Sequence, residues 1–144
     1  MEDVHLLHSV PRTRLPDVLR QGLKAESDFD DLGLAMRRGV VYCWLEADHD
    51  KMWGRDPAYV WVEVSVDPKR CRVAEMEFSS MALMYRQGQE GKPKNPRAAD
   101  LLARLYEETS VPLDAYRDGL FWTPEVLVRG DIGLDHIAVA HEPA

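Results

Sequence analysis

Only two cysteines, Cys43 and Cys71, occur in 144 residues. That is too few for a disulfide framework, and neither stands with a histidine pair at zinc-ligand spacing. Both fall in segments that read as strands, where buried reduced thiols are expected. No apolar run approaches the roughly 20 residues that cross a bilayer. The chain opens on Glu2 and Asp3 without the basic start and apolar stretch of a secretory signal, so a cytoplasmic address with no membrane partner is expected. Glycine is never arranged to cradle phosphate: GxGxxG after a strand and GxxxxGK[ST] are both missing, which excludes Rossmann and P-loop chemistry. The five histidines form neither HExxH nor a spaced pair, and His49, between Asp48 and Asp50, reads as a surface residue. The acidic run Asp28, Asp30, Asp31, Gly33 fails as a calcium loop, because Leu32 takes its fifth position and Gly39 its twelfth. No metal is expected. A GxSxG elbow is also missing, and His8 and Ser9 are strand neighbours that point to opposite faces, so a nucleophilic dyad there is excluded.

What is present is the make-up of one ordinary globular domain, 1–144, with 45% apolar and 30% charged residues. Acids outnumber bases 25 to 18, a formal charge of −7, which disfavours general nucleic-acid binding. Lys92, Lys94 and Arg97 form a local basic cluster that reads as a solvated loop.

Alternation and turn residues predict strands at 5–10, 40–44, 59–66, 71–78, 125–128 and 135–140, the fourth a candidate hairpin partner of the third. Thr13 is placed to cap a helix carrying Leu15, Val18 and Leu19 that stops at Gly22. Residues 25–39 lack a sustained period and read as a long loop with room for a short helix. Residues 79–95 read as a polar connection with one helical turn near Met81–Tyr85. Asn95-Pro96 starts a second helix, with Ala98, Leu101, Leu102 and Leu105 on its apolar face. Trp53 and Trp122 are expected at the surface. Strands dominate and helices are inserted between them, which favours an α+β fold.

Single polar or aromatic residues interrupt these apolar strands: His8 on the first, Tyr42 on the second and Glu125 at the mouth of a late one. In that order they resemble the His-Tyr-Glu arrangement of the diphtheria-toxin and PARP-like branch of ADP-ribosyltransferases. Leu7-His8-Ser9, the helix ending in Gly22-Leu23, Val40-Val41-Tyr42 and the Val66-Asp67-Pro68 strand end carry the likeness along nearly the whole chain. Pro124-Glu125-Val126-Leu127-Val128-Arg129-Gly130 followed by Asp135-His136-Ile137 is similar to the closing segment of DNA-modifying toxin members. Two departures stand out: Ser9 replaces the glycine that follows histidine in many PARP-like members, and Cys43-Trp44 follow the tyrosine where small hydroxylated residues are frequent.

The resemblance implies a split, mixed β-sheet with a few flanking helices, and NAD as co-substrate. His8 would bond a ribose hydroxyl of the adenosine half, Tyr42 would stack on nicotinamide, and Ser9 would lie where backbone meets nicotinamide. Glu125 would accept the 2′-hydroxyl of the nicotinamide ribose and stabilise an oxocarbenium-like state. Arg37 or Arg38, just before the tyrosine strand, would clamp the pyrophosphate, since guanidinium matches phosphate bidentately. The implied activity is mono-ADP-ribosyl transfer to an acceptor chosen by loops 79–95 and 107–121. The alternative is a non-catalytic nucleotide- or partner-binding domain on the same fold; the related tRNA 2′-phosphotransferase activity fits an acidic chain poorly. Each residue alone has a plain packing explanation.

Overall fold

The computed structural model describes residues 2–25, 32–45, 56–91 and 93–141. Asp28, Asp30, Asp31, His49, Trp53 and Lys92 lie outside them, so the expectations placed on those residues are not addressed further. The strands are β1 (Val4–Pro11), β2 (Val40–Cys43), β3 (Tyr59–Val66), β4 (Cys71–Glu75), β5 (Val111–Pro112), β6 (Pro124–Arg129) and β7 (Ile137–His141). The helices are α1 (Leu15–Gln21), α2 (Met76–Gln87) and α3 (Pro96–Thr109). The fold is α+β, with one sheet in the order β1-β3-β7 and another in the order β2-β6-β4-β5.

Among the described residues the mixed sheet expected from the resemblance is not present. β3 runs opposite to both its neighbours and β6 opposite to both of its own, so every described ladder is antiparallel. The alternation of β3 explains how the sheets meet. Val60, Val62, Val64 and Val66 are buried, and three of them join Leu6 and Val10 of β1 in one core. The same core takes Val41 and Cys43 of β2, Cys71 and Val73 of β4, and Val126 and Val128 of β6. Burying each valine contributes about 1.5–3 kcal/mol. A single antiparallel bridge between Leu7 and Trp44, with hydrogen bonds in both directions, ties β1 to β2 where the two sheets come together.

The outer face of the four-stranded sheet is covered by α2 and α3. Val40, Ala74 and Leu127 pack there against Tyr106 of α3, with Phe78 of α2 alongside. Asn95 caps α3 as expected, its side chain accepting from the Ala98 N–H at 3.1 Å. The buried face of α3 is Ala99, Ala103 and Tyr106, however, and Leu101 is exposed. Small residues face inward because α2 approaches closely through Ser79 and Ala82. That also corrects the reading of 79–95: a helix whose buried stripe is serine and alanine shows little hydrophobic periodicity. The predicted strand 71–78 stops at Glu75, and β4 pairs with β5 and β6, not with β3.

Thr13 does not cap α1; a 3₁₀ turn, Arg12–Arg14, precedes it and Pro16 enters its first turn. Gly22 ends the helix at φ 78°, where a Cβ would lie 2.6 Å from the Ile132 carbonyl oxygen. Only glycine lets Leu23 and Ile132 exchange backbone hydrogen bonds there, at 3.0 and 2.8 Å.

Candidate functional site

His8 and Tyr42 meet at the seam between the sheets. The His8 Nδ1–H donates to the Tyr42 carbonyl at 2.5 Å, which fixes the imidazole proton on Nδ1. Both residues line a cleft of about 620 Å³, with Val10, Arg14, Asp17, Gln21, Gly22 and Lys24 among its other walls. Strand alternation explains the placement: His8 shares a face of β1 with the core residues Leu6 and Val10 but lies where that core opens toward α1.

Glu125 and Arg37 form a second cluster. Glu125 sits on the helix-covered face of β6, opposite Ala74. Arg37 ends a 3₁₀ turn, Ala35–Arg37, that precedes β2, and its Nη1 donates to Glu125 Oε1 at 3.0 Å. The two side chains are 5% and 7% exposed, so this is a buried ion pair, whose charges need further donors and acceptors to offset lost hydration. Tyr106 supplies one: its hydroxyl donates to the same Oε1 at 2.5 Å and accepts from Arg37 Nη1 at 3.0 Å. Burial, and next the Glu125 carboxylate, push the Tyr106 hydroxyl far above its ordinary range, which keeps it a neutral donor.

Tyr42 joins the two clusters. Its ring carries the Arg37 guanidinium at 5.0 Å, matched by the Tyr106 ring at 5.1 Å on the same cation. Its hydroxyl donates to the Arg37 carbonyl at 3.3 Å. No protein family, curated protein or solved structure matches this chain. The site therefore stands on its own geometry.

That geometry brings His8 and Tyr42 into one cleft, and packs the Tyr42 side chain with Arg37 and Tyr106, which hold Glu125. Glu125 is not on the cleft wall among the described residues. Ser9 points to the other face of β1, paired in register with Trp61. Arg37 and Arg38 diverge: the first is buried against Glu125, while the second is exposed and lines a separate hollow on the four-stranded sheet.

Two participants escape a reading of the sequence. Tyr106 lies 19 residues from Glu125 and is fixed by the register of α3; its only signal is an aromatic on the face that the Asn95 cap defines. Glu75, at the end of β4, is buried, and its Oε2 accepts from the Thr123 N–H at 2.8 Å. With the Met76 N–H donating to the Thr123 carbonyl at 2.9 Å, it fixes the entry to β6 two residues before Glu125.

Proposed function

We propose that this chain is an NAD-dependent mono-ADP-ribosyltransferase. The observation that supports the reading best is the convergence of His8 and Tyr42, from different sheets, on one cleft, with the Tyr42 ring also against the Arg37 cation that is bound to Glu125. The cleft, at about 620 Å³, falls within the range of small-molecule sites, about 300–1,000 Å³.

In this reading the adenosine half of NAD lies by His8 and nicotinamide stacks on Tyr42. The bond between C1′ and the nicotinamide nitrogen breaks, and its electron pair leaves with nicotinamide. The acceptor's nucleophile forms the new bond to C1′ and gives up a proton. This reading requires the Glu125 carboxylate, which lies off the cleft wall in its pair with Arg37 and Tyr106, to reach the intervening cationic sugar. A finer fold assignment, to the split-sheet scaffold of ADP-ribosyltransferases, belongs to the same proposal.

A second reading is favoured by one observation: Glu125 is only 5% exposed, with both Arg37 and Tyr106 on one oxygen, as in a purely structural ion pair. The chain would then be a nucleotide- or partner-binding domain. Nicotinamide release from NAD, measured with and without protein, DNA and small-molecule acceptors, separates the two. The transferase reading expects turnover by the wild type and a loss of about 10²- to 10³-fold in a folded Glu125→Gln variant. Bound NAD without turnover under every acceptor would leave the binding domain, and failure to bind NAD would remove the transferase reading and leave a domain that binds another nucleotide or a partner.

A further inference from the structure

On the outer face of the four-stranded sheet, beside the part that α3 covers, lies a hollow of about 360 Å³. Arg38, Lys69, Arg70, Arg72 and Arg129 line it, over a floor that includes Val40 and Leu127. Five cations from three separate stretches of chain converge there, and none of the lining residues is acidic. In a chain of net charge −7 this is a marked local reversal of sign.

Arg70 and Arg72 are held in place by uncharged acceptors. Arg70 donates from Nε to the Arg129 carbonyl at 2.8 Å and from Nη2 to the Asp131 carbonyl at 2.7 Å. Arg72 donates from Nε to Ser110 Oγ at 2.8 Å and from Nη2 to the Ser110 carbonyl at 2.9 Å. All four acceptors are uncharged oxygens, so each guanidinium is oriented yet keeps its charge. A guanidinium has five N–H donors, and the Nη1 side of each remains able to grip an oxyanion. The nearby carboxylates are engaged elsewhere: Asp131 with the Ala25 N–H and Lys24, and Asp67 with the Lys69 N–H. The β4–β6 ladder ends at Cys71 and Val128, and past that end the Arg70 side chain, from the turn before β4, reaches over to the Arg129 backbone.

We propose that this hollow binds a small molecule carrying two or more phosphate groups. A closed set of cations around one hollow suits a compact polyanion, whereas a nucleic-acid strand calls for a basic track longer than this patch and works against the overall negative charge. The phosphate groups would meet Arg70, Arg72 and Arg129, and the more open apolar lining residues, Met36 and Pro112, would lie against a base if the ligand is a nucleotide. The site is independent of the cleft at His8 and Tyr42, so it stands whether or not the chain turns over NAD.

The test is calorimetric titration of the full chain with inorganic tripolyphosphate, ATP and a single-stranded oligonucleotide. A Lys69→Glu, Arg129→Glu double variant is titrated beside it; neither side chain takes part in the hydrogen bonds that hold Arg70 and Arg72. Tripolyphosphate is expected to bind the wild type and to lose at least ~10-fold in affinity in the double variant, whose thermal unfolding without ligand stays unchanged. Tighter binding of ATP than of tripolyphosphate would identify the ligand as a nucleotide; equal binding would assign the affinity to phosphate alone. Amide-shift mapping on the wild type, which needs no variant, should place the perturbed residues at 35–40, 69–72 and 127–130. Absence of tripolyphosphate and ATP binding, perturbation centred elsewhere, or an oligonucleotide bound far more tightly than either would overturn the proposal.

Discussion

Arg37 is the residue on which the interior chemistry turns. It is 4% exposed, its charge is met by Glu125, and its guanidinium lies over the rings of Tyr42 and Tyr106. Removing one member of a buried ion pair leaves the other charged and uncompensated, which costs about 3–5 kcal/mol. Arg37→Ala is therefore expected to be strongly destabilised in urea unfolding, and Tyr106→Phe by about 1–3 kcal/mol through its lost hydrogen bonds. An Arg37→Ala loss below about 1 kcal/mol would mean that the trio is solvated. His8, Tyr42, Glu125 and Arg37 can all be named from the sequence. The Arg37–Glu125 pairing cannot, because it spans 88 residues and depends on how a 3₁₀ turn docks beneath α3. Ser9 and Arg38 show the converse: adjacency in sequence to His8 and Arg37 sends each to a different face.

At the scale of elements, the segments with strong local chemistry are legible and those with weak periodicity are not. β3 and the Asn95 cap of α3 follow directly from alternation and capping. α2 does not, since its buried side chains, Ser79 and Ala82, are small and its contacts are with another helix. The junction of α1 with Leu23 is legible in one residue, Gly22. Its φ of 78° and the Ile132 oxygen 2.6 Å from a built Cβ leave no room for a side chain. Gly22→Ala is expected to cost about 2 kcal/mol or more, from the left-handed backbone alone plus the displaced Leu23–Ile132 bridge. Because Gly22 and Leu23 both line the cleft, the proposed transferase function expects the variant also to weaken NAD binding at temperatures where it remains folded. Unaltered thermal unfolding would show that the α1–Ile132 junction contributes nothing to stability.

Across the whole molecule, burial acts in one direction on three weak acids. Cys43 and Cys71 face the core between the sheets from β2 and β4, and Tyr106 lies beneath α3. Burial is the largest influence on each: the Cys71 thiol is pushed from 9.0 up to about 11, and Cys43 and Tyr106 are raised further still. A folded-state value above the unfolded one means that the unfolded chain sheds its proton first. The stability these groups contribute is thus intact below about pH 9, and it declines as pH rises from 9 through 11. For Cys43 and Tyr106 the decline continues beyond that window, so no alkaline plateau is expected. Thermal unfolding under reductant should give a constant midpoint in the neutral range and a progressive fall above about pH 9. A Cys43→Ala, Cys71→Ala double variant should fall less steeply, since two of the three groups are then gone. A midpoint that holds to pH 11 would show that these groups ionise as readily in the folded chain as in water, and that the core between the sheets is open to solvent.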